Sequence, residues 1–182
     1  MGRVVQLTFG GVAFLTFVGA FVYLAACDEE KVTASSDSLA QLCEDHSRTR
    51  IPDAPPYQGP GPHPILVFGP GVPTLDDQKS PAAVWSPKPV DAQLVGCVDA
   101  GSAADVIGTC HFDLPEPKDL DLRATTARLT VYEVRSRRKI ADLTVHGTRC
   151  PVSVIQPVDQ EWVDAVPLAA EVREAVRKYV EG

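Results

Sequence analysis

Five cysteines and four histidines carry most of the chemistry open to this chain. Cys43, Cys97, Cys110 and Cys150 are spaced too widely for a C-x-x-C redox pair or a zinc knuckle. As an even set of four they suit two disulfides in an oxidising compartment. Cys27 stands apart, at the end of an apolar run. His111 and Asp113 are two residues apart, so on a strand they share a face. With His146 from another strand's polar face they would make an imidazole and carboxylate set for zinc or copper, and His46 and His63 are further candidates. Such a site needs His111, Asp113 and His146 to converge, because no H-x-x-x-H or H-E-x-x-H spacing commits two ligands in advance. No G-x-S-x-G elbow is present. In Gly59-Pro60-Gly61 and Gly69-Pro70-Gly71 the proline interrupts the run of N–H donors that a phosphate cradle requires. Asp76, Asp77, Glu116, Asp119 and Asp121 fall in turn-like, wet segments where nothing raises a carboxyl pKa. The expectation is no catalysis, no cofactor and no committed metal site.

These side chains need a scaffold, and the pattern predicts an α+β one. Ser38 to His46 reads as two helical turns capped by Ser36 or Ser38, with Leu39, Leu42 and Cys43 on one side. Residues 51–64 hold six prolines and two glycines, which rules out a helix or an internal strand. Ile65–Phe68 is a short buried strand, and Ala83–Trp85 another brief one. Gln93–Val98 and Val106–Phe112 flank a small loop, Asp99–Asp105, and read as a hairpin. That hairpin sets Cys97 opposite Cys110 and leaves Cys43 for Cys150, although spacing alone leaves the other pairings open.

Arg128–Val134 and Ile140–His146 form a second hairpin. With its turn centred on Arg137, Leu129 faces Val145, Val131 faces Leu143 and Glu133 faces Ala141, so one face is apolar and the other polar. Pro151–Val158 reads as an edge strand. From Pro167 to Glu181 the period changes to three and four, through Leu168, Val172, Val176 and Tyr179, giving an amphipathic helix with a Glu174–Lys178 pair. The expected architecture is an N-terminal apolar membrane segment, then a small antiparallel sheet covered by that helix.

Of 182 residues, 17 are Lys or Arg and 24 are Asp or Glu, a formal charge of -7. So acidic a chain repels a phosphate backbone. Its densest cationic run, Arg135 to Lys139, sits in a turn without aromatic platforms, which argues against nucleic-acid binding. Val4 to Ala26 contains no charge in 23 residues, long enough to span a bilayer's hydrocarbon core, with Arg3 before it and Asp28-Glu29-Glu30 after it. Leu24-Ala25-Ala26-Cys27 resembles the lipobox of bacterial lipoproteins, which implies acylation at Cys27. An uncleaved anchor helix and simple secretion are the other fates open to the segment.

The organisation expected is a signal or anchor over 1–27, a tether over 28–37 and a single disulfide-stabilised domain over 38–182. Its address would be the cell membrane, with the domain on the extracytoplasmic side and two partners: the lipid bilayer and a membrane or envelope protein. Tyr57…Gly61-Pro62-His63-Pro64, Leu94-Val95-x-Cys97, Thr109-Cys110-x-Phe112, the Val131–Asp142 hairpin and Cys150-Pro151 together resemble a domain of exported actinobacterial proteins with no assigned activity. Phe112 stands where similar chains often carry Tyr. The resemblance implies secretion and disulfides. The function expected is a non-catalytic, membrane-tethered accessory or protein-binding domain of an envelope complex. The alternative is a metal- or redox-handling envelope protein.

Overall fold

A computed structural model describes residues 33–45, 50–72, 75, 82–113, 117–152 and 160–182. From Lys31 to Gly182 the chain clusters into one compact unit. Its elements in order are α1 (Ser36–Glu44), β1 (Ile65–Phe68), α2 (Ala82–Trp85), a 3-10 turn (Pro89–Asp91), β2 (Leu94–Val98), β3 (Ser102–Phe112), β4 (Lys118–Glu133), β5 (Lys139–Arg149), β6 (Trp162–Asp164), β7 (Val166–Pro167) and α3 (Ala169–Val180). The class is α+β, with a curled, half-barrel sheet. The sheet is mixed, which corrects the antiparallel expectation: β1 runs parallel to β2, and β6 runs parallel to β4.

The 16-residue β4 is the spine. Along one of its edges β2 pairs with residues 129–133 and β3 with residues 118–126, both antiparallel. These two strands therefore run in line and do not form a hairpin with each other. The Asp99 N–H still donates to the Arg128 carbonyl at 2.9 Å, so the ladder continues through what the sequence presents as a turn. The other edge carries β6 against Asp121–Arg123 and β5 against Thr125–Tyr132.

Where β4 and β5 separate, the β6–β7 segment enters between them. β6 pairs with β4, and β7 pairs antiparallel with Gly147 and Arg149 of β5. A side chain at position 147 would strike Thr125 Oγ1 and the Ala165 carbonyl, so only glycine admits this wedge. The Thr125 hydroxyl donates to that same Ala165 carbonyl at 2.7 Å.

The β4–β5 hairpin keeps the expected faces, but its register differs by two residues. Leu129 faces Leu143, Val131 faces Ala141 and Ala127 faces Val145. A shift of two leaves every side chain on its own face, because the side-chain period of a strand is two. The cause lies at the turn. Val134 leaves the β4–β5 ladder and is fully buried, its N–H donating to the Gln93 carbonyl at 3.0 Å. Arg137, at φ 61, closes the loop, and the Glu133 N–H donates to Arg138.

Two cores flank the C-terminal half of β4. All five residues of β2 are buried. Leu94 and Val98 join Leu129, Val131, Val145 and the helix residues Val172, Val176 and Val180, whereas Val95 and Cys97 join Leu39, Leu42, Ile51 and Val134. The alternation of a strand thus feeds one core on each face, with α3 behind one and α1 behind the other.

The sequence predicts α1 within a turn. A capping box made by Ser35 and Ser38 starts it, with the Ser38 N–H donating to Ser35 Oγ at 3.1 Å and the Ser35 N–H to Ser38 Oγ at 2.8 Å. The first helical residue, Ser36, lies inside the expected 28–37 tether. At nine residues such a helix is marginal in isolation, so its docking through Leu39, Leu42 and Cys43 is what maintains it. In α3, Glu174 pairs with Arg177 at 2.6 Å rather than with the expected Lys178, whose ammonium lies over the Tyr179 ring.

Ala82–Trp85 is a helical turn and not a strand. Of the expected edge strand Pro151–Val158, residues 153–158 lie outside the described residues and Pro151–Val152 are not in a strand. The membrane tether is corrected as well. Among the described residues no helix is long and apolar enough to cross a membrane, and the longest, α3, has 12 residues. Residues 1–27, with Cys27 and its expected acylation, lie outside the described residues. The bilayer partner, the membrane-protein partner and the cell-membrane address accordingly have no support in this fold.

Candidate functional site: two cystines and a cleft

Cys43 is bonded to Cys97, with Cα atoms 5.3 Å apart, and Cys110 to Cys150, with Cα atoms 5.8 Å apart. This corrects the Cys97–Cys110 pairing, for a topological reason. Cys97 lies opposite Thr130 and Cys110 opposite Leu120, ten β4 positions away. At about 3.3 Å per residue the two are roughly 33 Å apart along the strand, well beyond disulfide reach. Each cystine has one nearly inaccessible half, Cys97 at 5% and Cys110 at 1% exposure, and one half-buried partner.

The two cystines secure different things. Cys43–Cys97 ties the last turn of α1 to a strand buried on both faces. Cys110–Cys150 ties β3 to the segment after β5, within a small cluster of Leu120, Leu122, Val163 and Ala165 flanked by Phe112. Outside that cluster β3 is bare: its first eight residues, Ser102–Thr109, are all exposed, including Val106 at 53% and Ile107 at 48%.

At the point where β4 and β5 part lies a cleft of about 310 Å³. One wall comes from Val98, Ala127 and the Pro70–Gly71 turn, the other from Val163, Ala165 and Val166 beside Pro151. The lining is mostly small and apolar. Among the described residues its polar members are Asp99, Thr125, Gln160 and Asp164. Asp99 already pairs with Arg128 at 3.5 Å, and the Thr125 hydroxyl is committed to Ala165.

The histidines do not gather. His111 lies opposite Asp119 and His146 opposite Thr126, seven β4 positions apart, or roughly 23 Å along the strand. His111 is instead held between two carboxylates on the surface, Nδ1 at 2.7 Å from Asp119 and Nε2 at 3.2 Å from Asp113. The hydrogen bond and charge of Asp119, with a smaller contribution from Asp113, raise its pKa above the ordinary histidine value. His146 lies 3.4 Å from Thr126 Oγ1, and its backbone N–H donates to the Glu171 carboxylate at 2.7 Å, which fastens α3 to β5. Among the described residues no group of three His, Cys, Asp or Glu side chains could hold a metal ion. His46, Asp76, Asp77 and Glu116 lie outside the described residues.

His63, a further ligand candidate from the sequence, is a packing residue. It is buried at 4% exposure, with Nδ1 2.7 Å from Gln93 Oε1, its ring 4.4 Å from that of Tyr57, and its N–H donating to Val180 at the end of α3. The one sequence signal for this was its place between two prolines.

Compared with protein-family models, curated proteins and solved structures, the chain matches none. These comparisons lend no support to the lipobox or exported-domain resemblances.

Proposed function

We propose that this chain works outside the cytoplasm, in an oxidising compartment, as a disulfide-stapled domain with a structural or redox-handling role. One observation carries the reading: both cystines are built into hydrophobic clusters through a nearly inaccessible half, and they join positions 54 and 40 residues apart. Closing loops of those lengths is worth about 4 kcal/mol each in the chain-entropy account. That is comparable to the whole stability margin of many domains. A domain that leans so heavily on cystines belongs where glutathione and thioredoxin do not keep thiols reduced. Of the two chemistries in the alternative expectation, the redox one is compatible with this arrangement. The metal one required His111 and His146 to meet, and their positions on β4 keep them apart.

The test is the thiol state of the native protein. Cells are quenched in acid, free thiols are alkylated, and the chain is digested without reduction and weighed. The expected result is Cys43–Cys97 and Cys110–Cys150 cross-linked peptides with no alkylation at these four positions. Four alkylated cysteines would overturn the proposal.

A further inference from the structure

The two cystines close loops of similar length, so chain entropy makes them nearly equal in worth. Their surroundings make them unequal in consequence. Around Cys97 the chain is buried on both sides of the sheet, and removing the bond leaves α1 and β2 packed through Leu39, Leu42, Ile51, Val95 and Val134. Around Cys110 the β3–β4 ladder remains, but the apolar cover is small. The cluster contains five buried residues, Cys110 itself among them. β3 contributes to it only near its end, and β6 covers three residues of β4 on the other edge. A hairpin with so little apolar cover is marginal in water, and the free energy of opening such a unit lies well below that of the whole domain.

From this contrast we infer that Cys110–Cys150 is a redox-releasable clasp for the β3 arm, whereas Cys43–Cys97 is a fixed staple of the core. The inference rests on the extracytoplasmic, disulfide-bonded reading given above. The co-reactant is a dithiol, either a small molecule or a protein of the thiol–disulfide oxidoreductase class. Its thiolate attacks the sulfur of Cys150, the half-buried member of the pair, two residues before the strongly exposed Val152 (89%). A mixed disulfide forms and Cys110 leaves as a thiolate. The second thiol of the reductant, as thiolate, then attacks the mixed disulfide and displaces Cys150. The net change is one cystine reduced to two thiols and one dithiol oxidised to a disulfide. Release frees β3 from its anchor and uncovers Leu120, Leu122 and Val163, while β6 and β7 stay paired to β4 and β5.

Hydrogen exchange on the full chain tests this, using the oxidised protein and the paired variants Cys110→Ser/Cys150→Ser and Cys43→Ser/Cys97→Ser. In the first variant, amides of residues 102–124 should exchange roughly a hundredfold faster or more, while those of 94–98 and 129–133 stay within about threefold of the parent. Stepwise dithiol titration of the parent should reproduce the same selective loss, which guards against a variant that never folds. Unchanged exchange in 102–124, or simultaneous loss of both regions on reduction, would overturn the clasp. Because the exchange experiment starts from oxidised protein, its failure is distinct from finding free thiols in native cells, which would overturn the extracytoplasmic reading.

Discussion

The two halves of β4 share one backbone and live in different surroundings. Residues 129–133 lie between β2 and β5, with a hydrophobic core on each face and a helix behind each core. Residues 118–124 lie between a strand exposed along most of its length and a three-residue one, with a single small cluster to bury. Their burial even changes phase. Leu120 and Leu122 point inward in the first half, whereas Thr125, Ala127, Leu129 and Val131 do so in the second. The switch falls at Arg123–Ala124, where β3 bulges against β4 on either side of Val106. The bulges lie in β3, so β4 keeps its alternation. The face of Leu120 and Leu122 continues to Tyr132 and Val134, and the opposite face is buried only from Thr125 onward. Continuity of secondary structure therefore does not imply uniformity of stability.

Three measurements press on this contrast. Replacing Cys43 and Cys97 together by Ala should lower global stability by about 4 kcal/mol, seen as an earlier urea midpoint with the transition still cooperative. A loss confined to the exchange of α1 would show that the deep half does not depend on its staple. Next, Leu129→Ala should cost about 3 kcal/mol of global stability, because its fully buried side chain packs in the larger core. Leu120→Ala, at 1% exposure in the small cluster, should speed exchange in 102–124 and move the urea midpoint less. Equal midpoint shifts for the two would merge the halves into one cooperative unit.

The last measurement is the His111 titration followed by NMR, which should have its midpoint above about 6.5 and fall in Asp119→Asn. The sign follows from the raised folded-state pKa: any stabilisation of the β3–β4 turn is complete below the unfolded value and is lost as pH rises through the folded one. Exposure of this trio, with side chains at 62%, 86% and 70%, makes it the smallest of the three effects.

What the sequence discloses follows how each signal arises. An unbroken apolar run closed by turn residues finds β1, and periodicity finds the faces of the β4–β5 hairpin and the body of α3, since each of these buries a regular stripe. It cannot fix the hairpin register, because shifts of two preserve both faces and the decision rests with Val134 and the left-handed Arg137. Asp99–Asp105 carries small and acidic residues typical of a turn, yet the Asp99 N–H stays on the β4 ladder. That one misreading also misplaces the cystine pairing, which depends on which strands share an edge. β6 and β7, at three and two residues, are too short to show any period. The candidate site was legible as residue types, in the four cysteines and the histidines, but not as geometry. His111 and His146 occupy polar positions on strands, as read, and only the pairing along β4 reveals how far apart they fall.

The β6–β7 wedge bears on the order in which the chain acquires its structure. A segment that seats between two strands has no place to dock until those strands have paired and parted. The local β4–β5 hairpin must therefore precede it, while closure of the small cluster waits for residues 162–167. Contacts of such long sequence separation form slowly because loop closure comes before any compensating gain. The small cluster therefore closes only once residues 162–167 have been made, and until then Leu120 and Leu122 lack their Val163 and Ala165 cover.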